Sequence, residues 1–111
     1  MTASEKSMLS EITALIVREL SPEKIILFGS RARGTATPHS DMDLLIVEDP
    51  DVPSKLSRRQ KMAHLWKLLA PFPVPQDILI YSSTEIEKWE STKNHVIAHA
   101  LREGEVIYER S

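Results

Sequence analysis

The chain has 111 residues, 41% hydrophobic and 27% charged, with 14 basic residues against 16 acidic ones and a formal net charge of -2. That is the length of one domain around one core, and too apolar for a disordered tail. It lacks the basic excess of proteins that track phosphate backbones, which disfavours a long nucleic-acid partner. Cysteine is absent, excluding a disulfide framework and a thiolate metal site. No apolar run approaches the ~20 residues that cross a bilayer. Met1 to Glu11 lacks the apolar core of a signal peptide, so a soluble cytoplasmic protein is expected.

From Ser7 to Leu20 apolar residues recur at helical spacing. Met8, Leu9, Ile12, Leu15, Ile16 and Leu20 share a face, and Glu19 interrupts the stripe. Thr2 with Glu5 has capping-box spacing, and Ser4 and Ser7 are alternative caps. Ser21-Pro22 ends the helix. Lys24–Phe28 is a β-branched and aromatic run, the pattern of a buried strand. Gly29-Ser30 breaks it, Arg31–Gly34 reads as a turn or one helical turn, and a loop continues to Ser40. Asp41–Val47 is a second strand, with two acids at its mouth and then four apolar residues. After a polar, proline-broken loop, Ser54–Leu69 reads as a helix. Its expected apolar stripe is Met62, Ala63, Trp66 and Leu69, with Lys61, His64 and Lys67 facing away. Pro71, Pro73 and Pro75 exclude helix, and Asp77–Tyr81 is a third strand. Ser82 with Glu85 is a capping box for a helix through Trp89. Lys93–Arg102 is a last helix ended by Gly104, and Val106–Tyr108 a final short strand. This alternation predicts an α/β protein with a small sheet.

Residues two apart on a strand point the same way, so Asp41 and Asp43 put two carboxylates side by side at the start of an apolar run. Bare, they repel and resist burial. Magnesium offsets both penalties, because it prefers carboxylate and phosphate oxygens. A lone Asp-x-Asp is short and common, and two solvated acids are its bland reading. Gly29-Ser30 supplies context: glycine admits close approach of a ligand, free amides at a helix start attract phosphate, and the serine hydroxyl adds a bond. One strand thus delivers a phosphate cradle and the next delivers two metal ligands. A nucleoside triphosphate needs both. Asp77 opens a further strand, from which it can complete a metal shell and accept a hydroxyl proton. Its bland reading is an acid in a proline-rich loop.

Arg31 and Arg33, just past the cradle, are candidates for the triphosphate charge, against the plain reading of a solvated turn. His39 reads as a loop residue and His64 as a surface one. His95 and His99 have the spacing of a zinc pair but no third ligand, so surface or packing roles are expected. Trp66 and Trp89 read as core, and Glu48, Lys24 and the cluster Arg58-Arg59-Lys61 as solvated surface.

The segment Ile26–Val47, with Gly29-Ser30, ten intervening residues and then Asp41-Met-Asp43, closely resembles the signature of the polymerase-β-like nucleotidyltransferases. The resemblance implies their fold, a small mixed sheet flanked by helices. It implies that Asp41 and Asp43 bind two magnesium ions and Ser30 the triphosphate, with Asp77 as the third acid on a later strand. The short length looks like the minimal nucleotidyltransferases, antitoxins that accompany HEPN-domain toxins, and the closing stretch His99–Tyr108 looks like the end of a protein of this group or of its toxin partners. The resemblance therefore implies one nucleotidyltransferase domain over residues 1–111 that moves AMP from ATP onto a tyrosine hydroxyl of such a toxin. Homo- and hetero-oligomers both stay open. Two rivals stand beside this reading: an antitoxin that masks its partner by stoichiometric binding, and a small-molecule nucleotidyltransferase of the aminoglycoside-modifying type.

Overall fold

The computed structural model describes residues 2–37, 40–89 and 96–110, the side chains of Val96 and His99 excepted. The first helix, α1 (Ala3–Leu20), begins earlier than Ser7 because Thr2 caps it. The Thr2 hydroxyl accepts the Glu5 N–H, and the Glu5 carboxylate accepts the Thr2 N–H, at 3.1 Å each. After it come β1 (Lys24–Phe28), α2 (Gly29–Arg33), β2 (Met42–Glu48), α3 (Arg58–Leu69), β3 (Gln76–Ser82), α4 (Ser83–Trp89), α5 (Val96–Glu103) and β4 (Glu105–Glu109). The Ser82–Glu85 capping box forms as its spacing predicts, with the Ser82 hydroxyl accepting the Glu85 N–H at 3.2 Å.

The strands make one mixed sheet in the order β3-β2-β1-β4. β1 lies antiparallel to both β2 and β4, whereas β2 and β3 are parallel. A parallel pair needs a crossover, and α3 supplies it. Side chains alternate across the sheet, so each apolar strand feeds two cores. On one face Ile25, Leu27, Met42, Leu44, Ile46, Ile78 and Ile80 pack with Leu9, Ile12 and Ile16 of α1 and Leu65 and Leu69 of α3. On the other, Ile26, Phe28, Leu45 and Val47 pack with Ile86 of α4 and Ile97 and Ala100 of α5. Among the described residues no helix is long and apolar enough to cross a membrane.

The face that α3 buries keeps Leu69 and Met62 of the expected stripe but leaves Ala63 and Trp66 exposed. Lys61, Leu65 and Leu69 point inward, and Trp66 is 72% exposed. Lys61 lays its aliphatic stem along the core and ion-pairs through its ammonium with Glu48 at the end of β2. A lysine heading the inward row hides that row from a count of apolar residues. Lys61 and Glu48 are therefore a partly buried pair and not solvated surface, and Arg58 pairs with Glu85 while stacking 4.8 Å over the Tyr81 ring. The helix also begins at Arg58 and not Ser54, because Ser57 and Gln60 form a capping box there. Trp89, by contrast, packs partly buried against the second core. Leu65→Ala should cost about 2–5 kcal/mol of stability. Trp66→Ala should change it by no more than about 0.5 kcal/mol. Urea unfolding of the two variants separates these values, and equal costs would contradict the observed face.

Candidate active site

Three strand ends converge at one end of the sheet. Phe28, the last residue of β1, pairs in register with Asp43 of β2, and Asp43 pairs with Asp77 of β3. Adjacent strands lie ~4.8 Å apart, so Asp43 and Asp77 are direct neighbours. Asp43 has the parity of Leu45 and Val47, and Asp77 that of Leu79 and Tyr81; both therefore rise on the face covered by α4 and α5. Asp41 precedes β2 with the same parity.

Gly29 closes the other side. Its φ is +74°, a left-handed conformation that L side chains rarely adopt, and a Cβ there would stand 2.0 Å from Oδ2 of Asp43. The turn is thus pressed against the carboxylate it faces. Ser30 comes next, in α2, its carbonyl accepting the Gly34 and Thr35 N–H groups. Among the described residues its hydroxyl makes no hydrogen bond.

The acids of this corner differ from the paired acids that tie the helices and strands together. Glu5, Glu48, Glu85, Glu103 and Asp49 each hold an ion pair. Among the described residues, no hydrogen bond or ion pair engages the carboxylates of Asp41, Asp43 or Asp77. Burial pushes the Asp43 carboxyl above the usual carboxylate range. The negative charges of Asp77 and Asp41 push the same way, against weaker opposition from Arg33 and Arg31. A carboxyl raised by folding favours the folded state while protonated, and that contribution fades as pH rises through its folded value. The chelated protein should therefore melt higher as Asp43→Asn than as wild type near neutral pH, the gain shrinking toward pH ~4. Melting curves at the two pH values in a chelator would show it; an equal difference at both would exclude the effect.

Among the described residues no group of three acids or histidines is placed to hold a metal ion. The donor set is all oxygen, from carboxylates that lack other partners among the described residues. It suits a hard cation that takes one or two protein carboxylates and fills its shell with water and substrate phosphate. Such a cation would also offset the burial of the Asp43 charge and its repulsion by Asp77 and Asp41.

Of the predicted residues, Gly29, Ser30, Asp43 and Asp77 meet at this corner, and Asp41 enters it from the loop. The two arginines are turned elsewhere. Arg31 is buried and ion-paired with Glu5 of α1, and its Nη2 donates to the Ser40 carbonyl at 2.9 Å. Arg33 is exposed and pairs with Glu103 of α5 at 2.9 Å. The Glu5 carboxyl is held down at about 2 by hydrogen bonds from the Thr2 backbone and hydroxyl, and then by Arg31. By spacing alone Glu5 reads only as half of a cap. Its partner lies far along the chain, and no local pattern marks such a pair. His39 and His95 lie outside the described residues, as does the His99 side chain, while His64 sits on the surface beside Glu19.

Comparison with known proteins places the chain in a family. Residues 10–103 match the family model described as nucleotidyltransferase domain. A Methanocaldococcus jannaschii protein named as a protein adenylyltransferase is 36% identical over 89 residues, 78% of each chain. Among solved structures, a nucleotidyltransferase from Sulfolobus solfataricus superposes with a TM-score of 0.58 at 19% identity, over 99% of this chain and 90% of that one. A toxin–antitoxin crystallised with AMP-PNP superposes at 0.54 and 17% identity, over 91% and 73%. A mutant of the toxin–antitoxin pair MntA-HpeT does so at 0.59 and 19%, over 92% and 72%. At these identities the structures speak for the fold. The family match spans most of the chain and includes both the glycine turn and the acids: this protein belongs to the nucleotidyltransferase domain family.

Proposed function

We propose that the chain, as one minimal nucleotidyltransferase domain over residues 1–111, transfers AMP from ATP to a tyrosine hydroxyl of a HEPN-domain toxin and thereby silences it in the cytoplasm. The observation that carries the chemistry is the Asp43 carboxylate pressed against the glycine turn, with Asp77 beside it in register and Asp41 just before the same strand, none of the three partnered among the described residues. The relative named as a protein adenylyltransferase supports a protein acceptor, and the toxin–antitoxin neighbours support a toxin as that protein. One of those neighbours was crystallised with an ATP analogue.

In this reading the triphosphate lies on the Gly29-Ser30 turn, where the Ser30 hydroxyl is available to donate to a phosphate oxygen. Asp41 and Asp43 would hold two magnesium ions with Asp77 as a further ligand, and these ions, when bound, neutralise charge on the phosphates and the departing pyrophosphate. The acceptor oxygen attacks the α-phosphorus in line. A bond forms between that oxygen and phosphorus, the bond to the bridging oxygen of pyrophosphate breaks, and the hydroxyl proton passes to Asp77. Arg33, exposed at the end of α2, is the cation available to the leaving group once it exchanges Glu103 for phosphate.

Incubation with the partner toxin and ATP labelled at the α-phosphate, followed by mass spectrometry of the toxin, tests this. AMP on a tyrosine is the expected result. A toxin that is neutralised but unmodified would make the chain a masking antitoxin.

A further inference from the structure

We infer that Arg31 is a positioning residue that fixes where Asp41 enters the site, and is not a ligand of the triphosphate. The kinetic consequence rests on the nucleotidyltransferase function proposed for the site; the structural one rests on the fold alone.

The Arg31 side chain is 2% exposed. One terminal nitrogen is committed to the Glu5 carboxylate and the other to the Ser40 carbonyl. The remaining nitrogen, Nε, is buried with no hydrogen-bond partner. Little of this guanidinium faces solvent, where a nucleotide would arrive. Reaching a phosphate would mean leaving both partners.

The fork joins three segments. Arg31 is next to Ser30 in α2, Glu5 belongs to the first turn of α1, and Ser40 immediately precedes Asp41. The loop end it grips is already folded on itself: the Ser40 N–H donates to the Thr37 carbonyl at 3.0 Å, and the Ser40 hydroxyl accepts the Thr37 N–H at 2.9 Å. On the other side of Asp41, the Met42 N–H donates to the Pro75 carbonyl at 2.8 Å. The Asp41 side chain is exposed and has no partner of its own among the described residues, so its place is inherited from these two backbone anchors. Arg31 supplies one of them, and Glu5 orients Arg31. A planar two-pronged donor is needed, because the acceptors are a carboxylate and a carbonyl from different segments. A lysine, a point charge, can serve one and not hold the angle between them.

Glu5→Gln, Arg31→Lys and Arg31→Gln test the assignment. Displacing a reacting group by ~1 Å costs up to about a hundredfold in rate. All three variants should lower kcat by about 10–100-fold and leave KM for ATP within about twofold. Arg31→Lys should fail to rescue. Amide hydrogen exchange at Ser40 and Met42 should quicken at least about tenfold in Glu5→Gln, a variant at the helix surface that keeps the core intact. A raised KM for ATP with unchanged kcat would overturn the inference in favour of a phosphate ligand. Unchanged exchange at both amides would overturn it too. The exchange result is read without any turnover, so it decides the clamp even if the transferase reading itself fails.

Discussion

Asp41→Asn/Asp43→Asn will fold as the wild type does and lose nucleotidyl transfer by at least about three orders of magnitude, the rate equivalent of ~4 kcal/mol of lost charge stabilisation. Folding is spared because neither carboxylate holds a hydrogen bond or ion pair among the described residues, and Asp43 is under repulsion from Asp41 and Asp77. Activity is lost because an amide keeps the shape of the side chain and removes the charge that a divalent cation needs. Asp77→Asn should be milder, about 10²-fold, the low end of what a general base contributes, since a proton acceptor can be partly replaced by solvent. Circular dichroism with steady-state rates on the three variants makes the comparison. A double variant that unfolds would show that the acids serve the fold.

Gly29→Ala carries the second large effect. The residue sits at φ +74°, and its new Cβ would stand 2.0 Å from Asp43 Oδ2. The backbone conformation alone costs ~1–2 kcal/mol, and displacing the carboxylate brings the expected loss to ~2–4 kcal/mol. The same displacement moves a metal ligand, so transfer should fall about a hundredfold. A double-mutant cycle isolates the contact. In an Asp43→Ala background the carboxylate is gone, and Gly29→Ala should cost only the conformational ~1–2 kcal/mol. Costs that simply add would mean the two residues do not touch.

Much of the site is legible in the sequence because the informative patterns are local. The strands β1, β2 and β3 are unbroken apolar runs bounded by glycine, proline and acids, and they lie within a residue of their expected ends. The spacing of Gly29-Ser30 from Asp41 and Asp43 survives translation into space because β1 and β2 are antiparallel neighbours. A short connection returns the second strand to the end of the first. Asp77 is harder to read. Its nearness to Asp43 depends on β3 pairing parallel to β2 after a crossover, which no local pattern specifies.

Other features escape for physical reasons that can be named. In α3 the inward row begins with Lys61, whose stem is apolar and whose charge is satisfied by Glu48, so periodicity finds Met62 and Leu69 but turns the stripe too far and puts Trp66 in the core. In the sequence Arg31 looks like a free cation beside a phosphate cradle. Its burial depends on Glu5, far away along the chain, and only the packed fold brings the two together. Long-range ion pairs of this kind leave no periodic trace.

Nucleotidyl transfer at Asp41 and Asp43 is tested most directly by comparing ATP labelled at the α-phosphate with ATP labelled at the γ-phosphate. Each is incubated with magnesium, the purified chain and an extract containing its natural neighbours, beside Asp41→Asn/Asp43→Asn. Label entering a protein band from the α-position alone, and only with the wild type, is the predicted result, because the nucleoside monophosphate is transferred and pyrophosphate leaves. Label entering from the γ-position, or equally with the variant, would contradict nucleotidyl transfer at Asp41 and Asp43.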